Sequence, residues 1–108
     1  MEGVSALLIV TNNPLVPEGL PKDYAVDYEN ITYREILIKV RDLVYGGHRL
    51  YTHPLSGSVK PNETPYKSIV ISKNPVGMEA GDAALISGSI EVFDKFTPIR
   101  RELSQRVL

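Results

Sequence analysis

His53-Pro54-Leu55-Ser56-Gly57-Ser58-Val59-Lys60 is where this sequence gathers the most side chains able to do chemistry. A histidine titrates near neutrality, so His53 can serve as an acid/base or bind an anion. Ser56, Gly57, Ser58 and Lys60 can cradle phosphate or carboxylate. The glycine admits close backbone approach, hydroxyls and amides donate, and the lysine supplies charge. The same residue types also build tight turns, and His53 can equally hold the loop entrance by a hydrogen bond. The stretch runs on through Pro61-Asn62-Glu63-Thr64-Pro65 without apolar periodicity. Connections this long inside a small domain are usually functional or disordered. The GxxxxGK[ST], GxGxxG and GxSxG patterns are absent, so neither a phosphate-binding P-loop nor a nucleophile elbow is present in the sequence.

Two other places share the form of this stretch. Val10-Thr11-Asn12-Asn13-Pro14 and Ile71-Ser72-Lys73-Asn74-Pro75 are apolar runs that end in polar residues and a proline, as Thr52-His53-Pro54 does. A residue before proline is held in an extended conformation. If the three runs are parallel strands, Asn13, His53 and Asn74 lie along one edge, where open α/β sheets bind their ligands. The expected binding set is therefore Thr11, Asn12, Asn13, His53, Ser56, Gly57, Ser58, Lys60 and Asn74, with His53 the candidate catalytic residue. The asparagines can read a ligand through their amides or make Asx turns. His48 follows the Gly46-Gly47 pair and can interact with helix-end carbonyls. Two histidines without ligand spacing imply no metal.

Ala6 to Val10 is a short aliphatic run and predicts a buried strand. Pro14 to Asp23 holds three prolines and reads as a surface connection. Tyr24 to Tyr28 predicts an edge strand. Thr32-Tyr33-Arg34-Glu35 matches a capping box, in which the threonine hydroxyl and the glutamate each satisfy the other's backbone amide. A helix follows, with Ile36, Leu37, Val40, Leu43 and Val44 on one face and Gly46-Gly47 as its left-handed stop. Leu50 to Thr52 and Ser68 to Ser72 predict two more strands. Asp82 can cap a helix through Phe96. The rival is a hairpin turning at Ser87-Gly88, since Gly88 costs a helix about 1 kcal/mol relative to alanine. Thr97-Pro98 then begins a short last helix.

This order predicts a single α/β domain over residues 1–108, Rossmann-like, with a mostly parallel sheet of about four strands and two to three helices. The strand, helix and strand from Tyr24 to Thr52 form a βαβ unit. The chain has 108 residues, a formal net charge of −1 and no cysteine. Near-neutral charge argues against nucleic acid or a membrane surface as partner. The missing thiol excludes disulfides and cysteine chemistry. Without a membrane span or leader, a cytoplasmic protein is expected.

Val10-Thr11-Asn12-Asn13-Pro14-Leu15-Val16 and the string from Thr52 through the proline loop to Ser68 resemble the GrdX family. These small proteins occur beside the glycine, sarcosine and betaine reductase systems of anaerobic bacteria. The resemblance implies an accessory role near those reductase components and carries over no catalytic residue or cofactor. Three readings follow from the residues. The first is a non-enzymatic accessory protein that binds a small anion or a partner protein at the carboxyl ends of the strands. The second is an enzyme acting on a small phosphorylated or carboxylated metabolite, with His53 as acid/base and Lys60 holding the anion. The third is an interaction subunit built on its tyrosines and on Arg100 and Arg101, with a homodimer left open.

Overall fold

The computed structural model describes residues 6–21, 24–56 and 65–107, and from 96 onward the backbone alone. The elements are β1 (Leu7–Thr11), α1 (Leu15–Gly19), β2 (Ala25–Tyr28), α2 (Tyr33–Tyr45), β3 (Ser68–Ser72) and α3 (Ala80–Val107). β1 is the middle strand of a sheet ordered β2-β1-β3. β2 runs parallel to it, with Leu8 opposite Ala25 and Thr11 opposite Tyr28. β3 runs antiparallel, with Leu7 opposite Ser72 and Thr11 opposite Ser68.

The side-chain period of two sets the core. Leu8 and Val10 share a face with their partners Ile71 and Ile69. Against this face close Ile36, Leu37, Val40 and Val44 of α2 and Ala83, Ile86, Ile90 and Phe93 of α3. Val10, Ile36, Leu37, Val40, Val44, Ile69, Ile71 and Ile86 have no exposed surface. Each contributes roughly 2 kcal/mol through burial, before the entropy of ordering is subtracted.

The ends of α2 follow their sequence signals. Thr32 Oγ1 accepts the Glu35 N–H at 3.1 Å, and Glu35 Oε1 accepts the Thr32 N–H at 2.8 Å. At the other end Gly47 takes a φ of +112°, open to glycine at little cost. The His48 and Gly47 N–H groups reach back to the carbonyls of Leu43 and Val44, which completes the stop.

The expected four-strand, mostly parallel Rossmann-like sheet is not what forms: the sheet has three strands and is mixed. The physical reason lies in the connections. Parallel neighbours need a crossover, usually helical. The chain from β1 to β2 has one, through α1, within the stretch read as a plain surface connection. No helix stands between Leu50 and β3 among the described residues, and β3 runs antiparallel. Leu50 to Thr52 is reduced to an isolated antiparallel bridge between Leu50 and Ile71. Two antiparallel relations still make that segment run parallel to β1 and β2.

α3 is also longer than expected. It begins at Ala80 and continues through Thr97-Pro98 to Val107, so the hairpin and the separate last helix do not form. Its first turn is held by Glu79, whose Oε1 accepts the Asp82 N–H at 3.0 Å. Asp82 is turned to another task, accepting Arg49 Nε at 2.7 Å and the Leu50 N–H at 3.0 Å. Burial alone would raise its carboxyl pKa. The Leu50 amide and the Arg49 guanidinium outweigh that and hold it below the ordinary value.

Candidate ligand-binding cleft

Three polar residues close the end of β1. Thr11 Oγ1 lies 2.7 Å from Ser68 Oγ and accepts the Asn13 N–H at 3.0 Å. Asn12 is buried and its carboxamide is fully engaged. Its Nδ2 donates to the carbonyls of Ile31 at 2.8 Å and Pro65 at 3.0 Å, and its Oδ1 accepts the Lys67 N–H at 2.7 Å. Asn13 Oδ1 accepts the Leu15 N–H at 3.0 Å, an Asx turn that starts α1.

Lys67 is buried too, at 6% exposure. Its Nζ donates to the Ser56 carbonyl at 2.7 Å and stands 5.7 Å from the centre of the Tyr33 ring. Among the described residues no carboxylate pairs with it. Burial lowers its pKa from the ordinary lysine value. Tyr33 stacks on Phe93 of α3 with ring centres 4.9 Å apart, and burial pushes its phenol up.

In front of these groups opens a cleft of about 600 Å³. It lies between the carboxyl ends of β1 and β2, the first turn of α2, and Phe93. Asn12, Ile31, Tyr33, Pro65, Tyr66 and Phe93 form its floor and walls, with Asn30 and the first-turn residues Thr32, Arg34 and Glu35 completing it. Arg34 is gripped by Asp94 through two bonds, Nε to Oδ1 at 2.8 Å and Nη2 to Oδ2 at 3.0 Å.

The sequence-predicted residues divide into three groups. Thr11, Asn12, Asn13 and the Ser56 carbonyl gather at one end of the sheet, linked through Lys67. Gly57, Ser58 and Lys60 lie outside the described residues. Asn74 follows Ser72, which pairs with Leu7 at the far end of β1, so the three proline turns do not share an edge. The convergence argument fails there because β3 is antiparallel. Asn74 has its carbonyl bonded by Ser72 Oγ at 2.9 Å. His53 is exposed, outside the cleft lining, and its Nδ1 accepts the Leu55 N–H at 3.0 Å, which shapes the turn at Pro54. His48 Nδ1 sits 2.8 Å from the Ser72 carbonyl rather than at the carbonyls ending α2; since that carbonyl can only accept, the nitrogen is the protonated one. No group of three His, Asp or Glu side chains among the described residues could hold a metal ion.

A model of the GrdX-like protein family matches residues 8–108, β1 through the end of the chain. The chain belongs to the GrdX-like protein family. Comparison with curated proteins and with solved structures finds no match.

Of the residues that line the cleft in this GrdX-like chain, sequence reasoning picked out Asn12 and missed Tyr33, Tyr66 and Phe93 as site residues; it also missed Lys67, which stands behind the lining beside Tyr33. Tyr33 and Phe93 read as packing positions on two amphipathic helices, which they also are. Their juxtaposition is a product of α2 meeting α3. No local signal marked Lys67: a lysine immediately before the apolar alternation of β3 is expected to be exposed, because burying its charge is costly.

Proposed function

We propose that this GrdX-like chain is a non-catalytic binding protein that holds a small organic anion with an apolar body in the cleft. The cleft carries the reading. Its volume of about 600 Å³ falls within the roughly 300–1,000 Å³ of small-molecule sites. It stands at the carboxyl ends of two parallel strands, where α/β sheets take their ligands. Its walls are apolar and aromatic. The Lys67 ammonium, with no carboxylate paired to it among the described residues, adds positive potential beside Tyr33.

Catalysis is the weaker reading because Glu35, the one carboxylate among the described lining residues, is held in the capping box. A cytoplasmic accessory role beside glycine, sarcosine or betaine reductase components is the setting implied by the family resemblance.

The test is a melting and titration series with benzoate, its neutral isostere benzamide, glycine, sarcosine and betaine. A ligand bound only by the folded state raises the melting temperature by mass action. A saturable rise with benzoate, smaller with benzamide and reduced in Tyr66→Ala, supports the reading. No saturable response to any of the carboxylates overturns it.

A further inference from the structure

Arg34 and Asp94 form a charged pair at the lip of this cleft. Arg34 belongs to the first turn of α2 and lines the cavity; Asp94 belongs to α3, next to the wall residue Phe93. Their two bonds, 2.8 and 3.0 Å, set both carboxylate oxygens against two nitrogens of the guanidinium fork. That is the geometry by which arginine recognises carboxylates in general. Both side chains are more than a third exposed, 45% for Arg34 and 38% for Asp94. Ion pairs this open add little to fold stability, so exchanging one carboxylate for another costs the protein little.

We propose that Arg34 is the residue that selects a carboxylate ligand, and that Asp94 is a built-in competitor for the same guanidinium. The inference rests on the cleft reading above and deepens it. The ligand is a monocarboxylate whose apolar body lies against Tyr33, Phe93 and Tyr66 while its carboxylate takes the place of Asp94 at Arg34. Asp94 keeps the guanidinium at the lip when the cleft is empty. The competition also sets specificity. Inorganic phosphate can also engage the fork through two oxygens but lacks the apolar body, and a neutral amide cannot replace a charged carboxylate there.

The opposed signs of two substitutions test this. Asp94→Asn removes the competing charge and leaves Arg34 in place, so it should tighten benzoate binding about fivefold and leave benzamide unchanged. Arg34→Gln should weaken benzoate at least tenfold, to the level of benzamide. Arg34→Lys should recover only part of the loss, because an ammonium offers no planar fork. The double variant should bind like Arg34→Gln alone. Affinities are read by calorimetry or by chemical-shift titration on the intact chain, with circular dichroism confirming that each variant is folded. Equal or same-direction changes in Asp94→Asn and Arg34→Gln overturn the proposal and make the pair a clamp between helices. If wild type binds benzoate while Asp94→Asn binds it no better, this inference falls and the cleft reading stands. If no variant binds benzoate or benzamide, both fall.

Discussion

The Asn12 side-chain oxygen accepts the Lys67 backbone N–H at 2.7 Å, so a carboxamide fastens the end of β1 to the chain entering β3. The same side chain donates to Ile31 and Pro65, one on each flank of the cleft. One buried residue therefore fixes the spacing of the cleft walls. Its amide is engaged inward and is not left over for a ligand.

Replacing Asn12 should be expensive for the fold. Asn12→Ala leaves the Lys67 amide and two carbonyls without their partner, at a cost of about 3 kcal/mol, from roughly 1 kcal/mol for each bond. Asn12→Asp should be no better, because a carboxylate oxygen would face the Ile31 and Pro65 carbonyls. Urea unfolding measures both. A loss below about 0.5 kcal/mol, typical of a free surface position, would show that the network does not hold the wall.

α2 was legible in the sequence to within a residue because its signals are local: a capping box, an apolar stripe at three- and four-residue spacing, and a glycine stop. β1, β2 and β3 were legible as segments for the same reason. The direction of β3 was not. Nothing in Ser68 to Ser72 distinguishes a parallel from an antiparallel partner; the connection that precedes it does. Thr11, Asn12 and Asn13 were placed at one strand end, as found, yet their hydroxyl and carboxamides serve turns and walls. Tyr33, Lys67 and Phe93 come from three separated stretches, and only the packing of α2, α3 and the β3 approach brings them together.

Two glycines should respond to alanine with opposite signs. Gly88 lies inside α3, and a Cβ there would meet nothing within 4 Å. Gly88→Ala should therefore stabilise the chain by about 1 kcal/mol through helix propensity. Gly47 has a φ of +112°, and its Cβ would come within 3.2 Å of Pro75 Cβ and the Gly77 nitrogen. Gly47→Ala should destabilise by roughly 1–3 kcal/mol, the cost of backbone strain plus crowding. Thermal melts of the two variants check the pair. A loss of stability in Gly88→Ala would count against the continuous helix.

Asp82 should couple stability to acid. Its folded pKa lies below its ordinary value, held there against burial by Leu50 and Arg49. The unfolded carboxyl titrates near 3.9. Its contribution is thus complete above that value and is lost as the pH falls through the lower folded value. Asp82→Asn should cost about 1.5 kcal/mol at pH 7, where hydrogen bonds to a charged group are removed. The gap between wild type and variant should close in urea titrations carried below about pH 4. A gap that stays constant from neutral pH into acid would show that the charge is not its source.

Lys67 should do the reverse at the alkaline end. Burial lowers its folded pKa, so the fold disfavours the ammonium relative to the unfolded chain, where lysine titrates near 10.4. Between those two values the unfolded chain binds more protons, and stability rises with pH. Lys67→Met keeps an apolar stem and removes the titration. Wild type should therefore gain on Lys67→Met as the pH is raised from 7 toward about 10, the unfolded lysine value being the upper limit. An anion held in the cleft would favour the ammonium and work against this trend. Saturating benzoate should then flatten the rise, and benzamide should not. A wild-type advantage that falls with pH in the absence of ligand would mean that the fold already supplies Lys67 with a negative partner. That outcome would remove the positive potential that Lys67 adds beside Tyr33 and leave Arg34 as the cation that faces the ligand.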